Sequence, residues 1–168
     1  PAVLTDKEQT SDSPDHQLAV FEFEKFTATW EHRKFADNNN EKHKVGAYFY
    51  GTKGVLHIGW KDGWTFYPAN AKDAIKHEYP QLQEPEGDGH NIGALWADFI
   101  SAIDGKRDPV ASIEAAHRSS TLPLLGMISW RVGRSIAWDA EKEQVIGDDE
   151  ANKLLGRKYR GPWEYPTI

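Results

Sequence analysis

Apolar and polar residues alternate through the first part of the chain. Ala19, Phe21 and Phe23 fall on one face of an extended run. Phe26, Ala28, Trp30 and His32 share a face of the next, with Thr27, Thr29, Glu31 and Arg33 opposite. Glu24-Lys25 joins the two runs tightly, as in a hairpin. A polar loop over 35–44 holds Asn38-Asn39-Asn40, and strand signal then returns over 45–50, 55–60 and 64–67. Gly51-Thr52-Lys53-Gly54 and Lys61-Asp62-Gly63 separate these runs, which predicts an antiparallel meander. Residues 68–89, with Pro68, Pro80 and Pro85, read as a long loop.

The period then changes. Ile92, Leu95, Trp96, Phe99, Ile100 and Ile103 recur at helical spacing and form one apolar stripe on a helix that stops at Gly105. On this pattern Trp96 is a core residue. Ser112 is placed to cap a second helix running toward Gly133, with Glu114 in its first turn and Pro123 inside, where a kink is expected. A last strand is expected over 135–138, and a short helix from Asp148 through Leu155, ended by Gly156. The basic, aromatic tail Arg157-Lys158-Tyr159-Arg160-Gly161-Pro162-Trp163 reads as extended, with Trp163 as its anchor. Strands first and helices after predict an α+β fold: one antiparallel sheet with helices packed on one face and the other face open. Residues 1–16 are polar and read as a flexible lead-in, leaving 17–168 as the domain.

Composition narrows the function. A net charge of −6 argues against phosphate-backbone binding and against docking on an anionic membrane. No apolar run approaches the roughly 20 residues that span a bilayer. The chain has no cysteine, which removes disulfides, thiolate catalysis and Cys-based zinc sites. No Gly-x-Gly-x-x-Gly follows a strand, and no Gly-x-x-x-x-Gly-Lys-Ser/Thr loop occurs, so no dinucleotide or phosphate cradle is expected in this chain. The compartment stays open between cytoplasm and a periplasmic or secreted location.

Several segments together carry a resemblance. They are Trp30-Glu31-His32-Arg33, the run from Gly46 to Gly54, the block from His117-Arg118-Ser119-Ser120 to Gly133-Arg134, Trp138-Asp139, and Gly147-Asp148 through Tyr159-Arg160-Gly161-Pro162-Trp163. In order and spacing they resemble the C-terminal domain of the glucose–fructose oxidoreductase / inositol dehydrogenase / rhizopine-catabolism (Gfo/Idh/MocA) family. The resemblance implies an N-terminal Rossmann domain for NAD or NADP, a catalytic Glu-Lys-Pro lysine and an Asp/His helix. None of these matches this chain, so the expectation is a second half whose cofactor-holding partner is its own Rossmann domain. The resemblance also implies a sugar or polyol substrate, homo-oligomerisation through the open sheet face, and no turnover by this chain alone.

Among individual residues, Glu31, His32 and Arg33 suit charged hydrogen bonds to substrate hydroxyls, or else a cross-strand ion pair. His43, between Lys42 and Lys44, fits a pocket mouth or a solvated basic loop. Tyr48 shares a strand face with Tyr50 and fits a substrate contact, a subunit interface or ordinary sheet packing. His117 on the second helix reads as a packing residue, because no positioned partner for a catalytic base is visible. No catalytic, cofactor-binding or metal-binding residue is assigned, and no His-x-x-x-His spacing occurs. The alternatives from other classes are a free-standing carbohydrate-binding module and a dimerisation unit.

Overall fold

In a computed structural model of the chain, the described residues are 13–33, 45–59, 63–70, 72–73, 75–77 and 89–164. The chain divides into two compact units, 1–33 with 113–168, and 34–112.

The first unit opens with the expected hairpin. Strand β1 (His16–Glu22) pairs antiparallel with β2 (Thr27–Arg33), Ala19 facing Trp30 and His16 facing Arg33. Phe23 N–H donates to the Phe26 carbonyl across the turn, and the two rings stack at 4.4 Å. Helix α2 (Ile113–Val132) begins directly after Ser112 and runs on through Pro123. It packs on β1. Gly126 makes the close approach: a Cβ there would lie 3.1 Å from the Gln17 amide and 3.2 Å from the Ala19 methyl. One face of the hairpin, with Gln17, Ala19 and Phe21, therefore meets the helix. The other, with Leu18 and Val20, stays open.

α2 ends in a left-handed residue, Gly133 at φ 69°. Gly133 N–H donates to Trp130 O and Arg134 N–H to Ser129 O, which satisfies two terminal carbonyls. The expected strand over 135–138 is shorter, a two-residue β7 (Trp138–Asp139) paired with β8 (Gln144–Val145). Asp148 caps α3 (Asp149–Asn152), accepting from Ala151 N–H. This helix is one turn long and stops before the expected Leu155. The Asn152 amide clasps Val145 at two points, both 2.7 Å. A small core of Ile128, Val145 and Ala151 forms, with Val132, Ile136 and Trp138 against it.

The second unit holds a meander in the order β3-β4-β5-β6: β3 (Gly46–Gly51), β4 (Gly54–Gly59), β5 (Trp64–Pro68) and β6 (Ile75–His77). β6 falls inside the segment read as loop. Gly54 is required at its turn, with φ 146° and the Tyr67 carbonyl 2.2 Å from any added Cβ. Register places Phe49, Leu56, Ile58, Trp64, Phe66 and Ile75 on one face. Tyr48, Tyr50, Val55, His57, Thr65 and Tyr67 lie on the other.

Helix α1 (Gly89–Gly105) carries the stripe and stops where expected, but the left-handed residue after it is Lys106, at φ 49°. Asp98 holds the returning segment, accepting from Arg107 Nη2 and from Val110 N–H, both at 2.7 Å.

The α+β class and its antiparallel pairing are thus observed, with the described strands divided among three sheets. One expectation is corrected. Trp96 is 61% exposed and is no core residue, because no described element covers the stripe. Trp163 is likewise exposed, at 72%.

Candidate functional site

The side chains able to bind a polar ligand gather at the end of the β1–β2 hairpin. Period-two geometry puts Glu31 and Arg33 on the same face of β2, and the register brings His16 opposite Arg33. Arg33 Nε donates to Glu31 Oε1 at 3.1 Å, and His16 Nε2 lies 3.6 Å from the same oxygen. All three side chains are partly exposed, at 32–47%. Such a group offers solvent both guanidinium donors and carboxylate acceptors, already oriented by each other. His32 points to the opposite face, where its Nε2 donates to the Pro14 carbonyl at 3.2 Å. The Glu31-His32-Arg33 run is therefore split: two residues form the cluster and the third ties down the segment before β1. His16 joins through strand register, which its sequence position alone does not reveal.

Tyr48 belongs to the other unit. Its ring packs at 4.6 Å on His57 and stacks at 6.2 Å on Tyr50. Burial first, then Tyr67 and Tyr50, push its phenol above the ordinary tyrosine value. It stays a neutral hydrogen-bonding group at physiological pH. His57 is 1% exposed. It lies hidden between Leu56 and Ile58 in an apolar strand, where periodicity gives no polar signal. His43 lies outside the described residues, as do Lys42 and Lys44.

Three further charged groups are structural. Arg134 forks onto both carboxylate oxygens of Asp148, at 2.9 and 2.7 Å, and reaches Glu150 at 2.9 Å. That contact, helped by the Ala151 N–H, holds the Asp148 carboxyl below the usual range. In α1, the Val110 N–H first and Arg107 second do the same to Asp98. His117 is not a packing residue: it is half exposed and its Nε2 meets Glu143 Oε1 at 2.6 Å.

Among the described residues no group of three or more His, Cys, Asp or Glu gathers as a metal cage. No described helix is long and apolar enough to cross a membrane.

The family model for "Oxidoreductase family, C-terminal alpha/beta domain" matches residues 6–165. The chain belongs to the Gfo/Idh/MocA oxidoreductases, as their C-terminal domain. No curated protein and no solved structure matches. In full-length members of the family this domain follows a Rossmann domain, and the enzymes use NAD or NADP. The described residues do not fit that cofactor. Their sheets are antiparallel throughout, and none of their glycines opens a helix after a parallel strand, the arrangement that cradles a pyrophosphate.

Proposed function

We propose that this chain is the substrate-side and oligomerisation domain of an NAD(P)-dependent oxidoreductase acting on a sugar, polyol or derivative. The observation that carries the reading is the His16–Glu31–Arg33 group on the open face of β1–β2. A polyol presents adjacent hydroxyls that each donate and accept, and a paired guanidinium and carboxylate answer both needs. The chemistry itself belongs to cofactor and residues outside this chain. Leu18 and Val20, 60% and 58% exposed on the same face, supply an apolar surface for subunit contact.

Two titrations test this. The isolated chain gives no saturable quenching of NADPH or NADH fluorescence; saturable quenching refutes the reading. In the longer protein that carries the Rossmann domain, Arg33→Met raises KM for a sugar or polyol substrate about tenfold with kcat little changed, the signature of lost binding. An unaltered KM removes the cluster from the site. A second reading, a free-standing carbohydrate-binding module, is favoured by the stacked, exposed pair Tyr48 and Tyr50. Calorimetry of the isolated chain against a sugar panel separates the two, since only the module binds tightly alone.

A further inference from the structure

Glu31 is held from two directions. Arg33 follows it by two residues on β2, so both side chains leave the same face of the strand. His16 reaches that face from β1, through its pairing with Arg33. The nearest contact of each neighbour falls on one oxygen: Arg33 Nε lies 3.1 Å from Glu31 Oε1, and His16 Nε2 lies 3.6 Å from it. A carboxylate has two oxygens and about four positions that accept a hydrogen bond. These two contacts on Oε1 leave accepting capacity on the same group, and the Glu31 side chain is 47% exposed.

What such a group selects follows from its chemistry. A carboxylate accepts and does not donate, so a hydroxyl satisfies it and an ether oxygen or a C–H does not. Arg33 differs in kind: a guanidinium only donates, and an ether oxygen accepts from it as a hydroxyl does. His32 does not share the role, since it faces the other side of the strand and contacts the Pro14 carbonyl. Of the two charged members of the group, Glu31 is the one that tells a free hydroxyl from a removed or methylated one.

We propose, resting on the substrate reading above, that Glu31 is the specificity-determining residue of this site. It accepts a hydrogen bond from one hydroxyl of a sugar or polyol, and so discriminates against the analogue in which that hydroxyl is removed or O-methylated. Exposure sets the size of the effect. A site whose polar groups are fully buried rejects a substrate lacking one hydroxyl by about 10⁴-fold or more. Glu31 keeps contact with solvent, so water replaces the missing hydroxyl. The loss is then roughly 10- to 100-fold, the range of one hydrogen bond to a charged group.

The test measures kcat/KM in the longer protein that carries the Rossmann domain. The probes are common hexoses and cyclitols, followed by the monodeoxy and mono-O-methyl derivatives of the best of them. One position other than the oxidised carbon shows the expected loss when its hydroxyl is removed or methylated. Glu31→Ala shows the same loss on the intact sugar and nothing further on that derivative, because the two changes remove one shared hydrogen bond. Glu31→Gln keeps an accepting oxygen and recovers part of the loss. If Glu31→Ala lowers the intact sugar and every derivative alike, its role is structural and the proposal is overturned. A silent Glu31→Ala beside a raised KM in Arg33→Met overturns it too, and leaves the substrate reading standing. Oxidation of none of the probes removes the substrate reading, and the role of Glu31 with it. Should Glu31→Ala lose its far-UV circular dichroism signal, Glu31→Gln decides: it shows a smaller penalty for the derivative than the unaltered protein does, and an unchanged penalty overturns the proposal.

Discussion

The two compact units differ in how far their apolar side chains are covered. In the unit built from 1–33 and 113–168, Ile128, Val145 and Ala151 close into a core, and Arg134, Asp148 and Asn152 stitch the segments around it. In the unit from 34–112, the side chains buried in the sheet are His57 and Thr65. Phe49, Ile58 and Ile75 are about half exposed, as is the whole α1 stripe. Helices and sheets each carry one apolar face that must be covered by another element. The first unit supplies that cover from its own sequence, through Gly126 against β1 and the Asn152 clasp on β8. In the second, no described element covers the α1 stripe. Close packing is therefore concentrated in the first unit.

The largest expected effect breaks this contrast in a single pair of variants. Ile128→Ala empties a buried position and costs about 3 kcal/mol in urea unfolding. Ile100→Ala, on the α1 stripe, costs under about 1 kcal/mol when the protein is dilute. Equal costs would erase the distinction. Next comes Gly126→Val, which drives a branched side chain into Gln17 and Ala19 and costs about 2 kcal/mol by overpacking, seen in the same assay.

The smallest effect concerns pH. The folded-state pKa of Asp148 is depressed, chiefly by Arg134, so its stabilisation is present above the unfolded carboxyl value of about 4. It is lost as pH falls through the folded value. Asp148→Asn therefore lowers the thermal midpoint at pH 7, and the midpoints of variant and parent converge near pH 2. A gap that persists in acid would assign the loss to packing and not to the ion pair.

Much of this architecture is legible in local pattern. Alternation finds β1, β2 and the meander, because a strand with two different faces must alternate. Helical spacing finds the α1 stripe, and Asp148 announces the α3 cap. What stays hidden depends on distant residues. Alternation does not say which strand neighbours which, so the division into three sheets is invisible. β6, β7 and β8 are too short, at two or three residues, to set a period. The stripe shows which side of α1 is apolar and nothing about its cover, which is why Trp96 reads as core and lies exposed. In the candidate site, Glu31 and Arg33 share a face by parity alone. His16 arrives only through the hairpin register, and His57 is masked by its apolar neighbours.

Native-state hydrogen exchange, read segment by segment, tests this contrast most directly. Amides of β7, β8 and the second half of α2 are expected to exchange more slowly than those of α1. If α1 is as protected as the second half of α2, its stripe is covered within the chain, and the contrast between the two units is wrong.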